Sequence, residues 1–99
     1  MVSGPNEIWS TDLIDMKKFS KDNKGYNYLL NVIDIFSKHA WNIPLKTKTW
    51  LEVTKASETI LTNKNLPRKL WADQGSEFYN RTFDKLLKRK SIQIYQYLQ

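Results

Sequence analysis

Cysteine is absent from this sequence, and histidine occurs once, at His39. Without thiols there is neither a disulfide scaffold nor a thiolate zinc site, and a single imidazole excludes a histidine-rich one. Glycine and proline are scarce, three of each, which rules out collagen-like, linker and low-complexity chains. No long hydrophobic run occurs. The most apolar stretch, Tyr28 to Phe36, is interrupted by Asn31 and Asp34 and falls far short of a bilayer span. Residues Met1 to Glu7 show neither the basic start nor the apolar stretch of a signal peptide. A soluble chain is expected, and a reducing compartment is permitted. Gly-rich phosphate loops, nucleophile elbows and histidine-based triads are also missing.

What is present is the material of one small domain, residues 1–99. A chain this short buries roughly 60–65% of its unfolded surface, so it is only marginally self-sufficient. Hydrophobic residues make up 40% and aromatics 13%, including four Trp, enough core material to reject disorder. The four Trp are expected mainly in the core. Net charge is +6, which makes a polyanion partner worth testing. Arg81, Lys85, Lys88, Arg89 and Lys90 crowd one short stretch against only Asp84. The plain alternative for that run is a solvated helix face.

The hydropathy pattern predicts a mixed α/β fold. Glu7 to Met16 reads as a strand, with Ile8, Ile14 and Met16 on one parity and Trp9 and Leu13 on the other. Lys17 to Gly25 is a polar connection. Tyr26 to Phe36 is apolar on both parities, which suggests a strand covered on both faces. Ser37-Lys38 makes a tight reversal into a third strand, His39 to Leu45. Thr49 followed by Glu52 fits a capping box, and Val53, Ala56 and Ile60 follow at helical spacing, the helix ending by Asn63 to Pro67. Lys69 to Ala72 is a short strand that delivers Asp73 at its C-terminal end. Asn80 can cap a second helix through about Lys90 with Phe83, Leu86 and Leu87 inward, and Ser91 to Tyr97 closes as a strand. Three antiparallel strands thus feed α/β crossovers in one mixed sheet with helices packed on it.

With one histidine and no cysteine, acid–base or metal chemistry has to rest on carboxylates. Asp12, mid-strand among apolar neighbours, is costly to bury unless compensated, and a divalent cation is one compensation. Two readings stay open: a metal ligand, or a residue facing solvent or paired with a lysine. Asp15, three positions on, points to the opposite face and suits a solvated strand end. Asp34 suits acceptance of backbone hydrogen bonds at the turn with Ser37. Asp73 is the best single candidate, because it follows a buried strand and precedes Gly75, where open α/β sheets place ligands. Glu77 can cap or brace that loop. His39, beside Ala40 and Trp41, reads as a packed or exposed strand residue rather than a ligand.

Four blocks together carry a resemblance. They are Glu7-Ile8-Trp9-Ser10-Thr11-Asp12-Leu13-Ile14-Asp15-Met16, the run from Asn23 through Tyr28-Leu29-Leu30-Asn31-Val32-Ile33-Asp34 to Lys38, the run Trp41 to Thr49, and Trp71-Ala72-Asp73-Gln74-Gly75-Ser76-Glu77-Phe78-Tyr79-Asn80. In combination the sequence resembles the catalytic core of retroviral-type integrases, the DDE family with an RNase H-like fold. Within it, the sequence looks most like integrases of Polinton or Maverick transposons and related retroelements. The resemblance implies that Asp12 and Asp73 are the first and second catalytic aspartates and hold Mg²⁺ or Mn²⁺. Two such ions activate the attacking oxygen and stabilise the leaving one in phosphodiester transesterification. It further implies DNA partners, both transposon ends and target DNA, a nuclear location, no membrane, and a homo-oligomer in the full-length form. Lys85, Lys88, Arg89 and Lys90 become the expected DNA-binding residues.

One departure matters. The family's third carboxylate, a glutamate, falls about 35 residues after the second aspartate, past Gln99, and Asp84 is the only acid after Glu77. The chain therefore reads as a C-terminally truncated or degenerate copy, or a partial gene model, of an integrase core, and the family's later helices and preceding zinc domain are not expected in it. Three functions compete: a catalytic-core fragment, a non-catalytic nucleic-acid-binding remnant, and an interaction domain or inert relic that binds no DNA.

Overall fold

Alternation in Ile8–Asp15 makes β1, the middle strand of a five-stranded sheet in the order β3-β2-β1-β4-β5. The computed structural model describes residues 4–19, 21–22, 24–62, 66–72 and 77–96. β1 pairs antiparallel with β2, Tyr28–Asp34, which pairs antiparallel with β3, Ala40–Leu45. On its other side β1 runs parallel to β4, Lys69–Ala72, and β4 runs parallel to β5, Gln93–Gln96. Parallel neighbours need crossovers, and the chain supplies them as α1, Trp50–Ile60, and α2, Arg81–Arg89. The expected order of elements is the observed one. The ends move by a residue or two, and a 3₁₀ turn at Lys17–Phe19 is additional.

Parity divides the sheet into two faces. Trp9, Leu30, Val32, Leu45, Leu70 and Ala72 share one face and form a single core with Val53, Ala56 and Ile60 of α1 and Phe83, Leu86 and Leu87 of α2. Both helices therefore cover the same side. The other face carries Asp12, Ile14, Asn31, Asn42, Trp71 and Tyr95, all half-buried or exposed. This corrects the expectation of two-sided cover on β2. Leu29, Asn31 and Ile33 are half-buried, because among the described residues no helix lies over them. The tryptophans divide in the same way. Trp9 is fully buried and stacks on Trp41 at 4.5 Å, whereas Trp50 and Trp71 are 48% and 37% exposed.

Local chemistry fixes the ends. Thr49 caps α1 by accepting from the Glu52 N–H at 3.3 Å, but Glu52 does not return the bond to Thr49. Its carboxylate instead accepts from the Lys46 N–H at 2.8 Å and from the Thr47 hydroxyl at 2.5 Å, tying the end of β3 to the helix start. Asn80 caps α2, accepting from the Phe83 N–H at 2.9 Å. The β2–β3 reversal runs through Lys38 at φ +65°, a left-handed conformation uncommon outside glycine. It closes with the Lys38 N–H donating to the Asp34 carbonyl at 2.8 Å.

Candidate active site

β1 delivers Asp12 to the uncovered face near the middle of the sheet. The residue is half-buried, with Oδ1 sealed from solvent. Its register partner on β2 is Asn31, and the partner of Asn31 on β3 is Asn42, so a polar row crosses three strands through apolar neighbours. A partly desolvated carboxylate needs compensation, and carboxylate oxygen is a hard donor suited to Mg²⁺ or Mn²⁺. The donor chemistry at Asp12 fits such an ion. Among the described residues no three Asp, Glu, His or Cys side chains gather into a metal-binding group.

Asp73, the expected second ligand, lies outside the described residues. The strand leading to it is well placed: Ala72, fully buried, pairs with Thr11, the residue before Asp12. On the far side of residues 73–76, the Tyr79 hydroxyl donates to the Ala72 carbonyl at 3.2 Å. Asn80 Nδ2 donates to the Glu77 carbonyl at 3.2 Å, and Phe78 meets Phe83 edge-on at 5.6 Å. The segment entering α2 is thereby fastened to the end of β4. No pattern in the sequence pointed to the Tyr79 bond. Asn31 left a signal, as a lone amide between Leu30 and Val32.

Other carboxylates do structural work. Asp34 is 2% exposed and lies on the core face opposite Trp9, away from the side that carries Asp12. Burial pushes its pKa up, but N–H donors from Asn6, Phe36 and Ser37 outweigh that and leave it below the ordinary carboxylate value. Asp15 is exposed. It accepts from the Lys17 N–H at 2.9 Å and pairs with the Lys17 ammonium at 3.6 Å, and these lower its pKa, the backbone bond most. His39 is exposed and edge-on to Trp41.

α2 turns Phe83, Leu86 and Leu87 inward and leaves Lys85, Lys88 and Arg89 exposed and Lys90 half-buried. Lys88 pairs with Asp84 at 3.1 Å, and Arg89 reaches across to Glu58 of α1 at 3.1 Å. Exposed pairs of this kind contribute about 0–1 kcal/mol, so phosphates can displace them.

A mixed sheet ordered β3-β2-β1-β4-β5, with α1 and α2 packed on it, defines an RNase H-like α/β core. Residues 2–96 match the model of the integrase core domain family. The chain belongs to that family. A transposon-derived protein of Caenorhabditis elegans is 32% identical over 81 residues, 81% of this chain and 28% of that protein. An intasome structure of simian T-cell lymphotropic virus, in complex with PP2A regulatory subunit B56 gamma, superimposes with a TM-score of 0.84 at 18% identity. The match covers 99% of this chain and 36% of that chain. The HTLV-2 integrase catalytic core, in complex with magnesium, gives 0.79 at 24% identity over 93% of this chain and 61% of that chain. The chain thus spans under a third of the nematode relative. No helix among the described residues is long and apolar enough to cross a membrane.

Proposed function

We propose that this chain carries the two-aspartate half of the metal site of a transposon integrase, of Polinton or Maverick type, acting on DNA phosphodiesters. One observation carries the reading. Thr11 and Ala72 are register partners on strands about 4.8 Å apart. Asp12 follows Thr11 and Asp73 follows Ala72, each by one peptide step of about 3.8 Å. Asp12 and Asp73 would hold Mg²⁺ or Mn²⁺. A divalent cation bound there supplies Lewis-acid polarisation of the phosphodiester and lowers the pKa of the attacking hydroxyl. Tyr79 holds the end of β4 from behind, and Lys85, Lys88, Arg89 and Lys90 bind DNA phosphates.

Two aspartates by themselves hold a hard cation weakly, so a polypeptide of residues 1–99 binds Mn²⁺ weakly and DNA without turnover. The natural setting of the reaction is the nucleus, where target DNA resides. A labelled transposon-end oligonucleotide incubated with Mn²⁺ and residues 1–99 should stay intact, while Mn²⁺ binding followed by electron paramagnetic resonance is lost in Asp12→Asn and in Asp73→Asn. Cleavage that vanishes in Asp73→Asn would overturn the inactivity of the 99-residue chain. Mn²⁺ binding untouched by both substitutions would overturn the site and favour a non-catalytic DNA-binding role.

A further inference from the structure

A cavity of about 290 Å³ lies where β1 ends and β2 begins, and its lining includes Leu29 and Pro44 of the Asp12 face. Met16, Leu29 and Pro44 supply apolar lining. Leu29 and Pro44 belong to the register row Ile14–Leu29–Pro44, next to the row Asp12–Asn31–Asn42. Rows on one face are two residues apart, about 7 Å along the strand. Tyr26, Tyr28, Lys24 and Asp22 complete the lining, Tyr28 from the core side of β2. Two further lysines lean on the same rings, Lys46 Nζ at 5.5 Å from the centre of Tyr26 and Lys48 Nζ at 6.0 Å from that of Tyr28.

We propose that this cavity receives one unstacked base of single-stranded DNA, stacked on Tyr26, with Lys24 and Lys46 on the flanking phosphates. The inference rests on the proposed function, and names the strand form that the site takes beside the reacting phosphodiester. Lys24 lines the cavity beside Asp22, while Lys46 and Lys48 have Glu52 and Asp15 as charge partners, exposed pairings that phosphates can displace. Flat aromatic walls with basic residues around them are the arrangement that binds single strands, whereas duplex bases are hidden within their own stack. Asp22 suits the exocyclic amino group of a base rather than a phosphate. Tyr26 is 37% exposed, so a ring face is available, and a stacked base outweighs an exposed lysine–ring contact. The rim is already ordered, since Asn27 Nδ2 donates to the Lys46 carbonyl at 3.1 Å and Glu52 holds the Lys46 N–H.

The test is metal-free binding, by fluorescence anisotropy in EDTA, of a short single-stranded oligonucleotide and of the same sequence as blunt duplex. Tyr26→Ala should weaken the single strand about tenfold and the duplex by less than twofold. Tyr26→Phe, which keeps the ring, should stay within twofold for both. Circular dichroism of each variant confirms that it is folded. Equal losses for the two DNA forms, no loss in Tyr26→Ala, or a Tyr26→Phe loss matching that of Tyr26→Ala would each overturn the proposal. The assay contains no divalent cation, so its failure is separate from failure of the Asp12 and Asp73 site, which Mn²⁺ binding reads.

Discussion

Thr11 and Ala72 face each other across parallel strands, and both are sealed in the core, 2% and 0% exposed. Because successive strand residues alternate faces, burying Thr11 under the helices turns Asp12 to the uncovered side. The same core that holds β1 rigid therefore fixes the direction of its carboxylate. A reactive group gains precision from a rigid strand that it does not gain from a loop.

Asp12→Asn keeps the size and shape of the side chain, so the metal-free variant should still fold. In the parent chain, Mn²⁺ at ten times its Kd should add about 1.4 kcal/mol. The variant should gain nothing. Thermal melts with and without Mn²⁺ read both numbers, and an equal Mn²⁺ shift in the two proteins would remove Asp12 from the site.

Asp34→Ala should cost about 3 kcal/mol, because three backbone N–H groups lose a charged acceptor. That is a large share of the 5–15 kcal/mol typical of a whole domain. The folded pKa lies below the ordinary value of 3.8, so the contribution is complete above that value and is lost as pH falls through the lower, folded one. Urea melts between pH 3 and 6, compared for parent and variant, should converge toward the acid end. A constant gap across that range would show that the charge is irrelevant.

The roles of Thr49 and Asn80, and the bonds of Asp34 to Phe36 and Ser37, were legible because each acts on backbone two or three residues away. The Asn6 bond to Asp34, 28 residues off, was not. β4 was legible because the short apolar run Leu70-Trp71-Ala72 stops at Asp73-Gln74-Gly75. The candidate carboxylates were legible as types, since charge in an apolar strand is itself a signal. What stayed hidden depends on distant partners. Tyr79 bonds the Ala72 carbonyl only because the chain turns back on itself, and Arg89 finds Glu58 on a different helix. The uncovered face was misread for the same reason. Apolar residues at Leu29 and Ile33 state a preference for cover, and only the positions of the helices decide which face receives it.

Glu52 links two elements and should titrate as such. The Thr47 hydroxyl chiefly, with the Lys46 and Thr47 N–H groups, holds its pKa below the ordinary 4.5 against a smaller opposing effect of burial. Its stabilising effect is therefore complete above pH 4.5 and fades as pH falls below it. Glu52→Gln should lower stability at pH 7 and match the parent in acid. Thr49→Ala, which removes the α1 cap, should cost about 1 kcal/mol at every pH. Chemical denaturation at two pH values separates them, and a Glu52→Gln loss that is equal at both would refute the anchoring role.

The basic face of α2 should bind duplex DNA through phosphates alone. Each phosphate contact contributes a slope of about −0.9 to log K against log salt. Lys85 is exposed, and Lys88 and Arg89 are held only by exposed pairs to Asp84 and Glu58, which phosphate oxygens can replace. Replacing all three with Glu should therefore lower the slope by about 3 × 0.9, or roughly 2.7, and weaken binding similarly for every sequence. Lys90 is half-buried, so Lys90→Ala alone should change the slope by less than one full contact. Anisotropy titrations of unrelated duplexes over a salt series give the slopes directly. A triple variant with the parent slope would place the DNA elsewhere on the surface, whereas a loss confined to one sequence would mean that α2 reads bases.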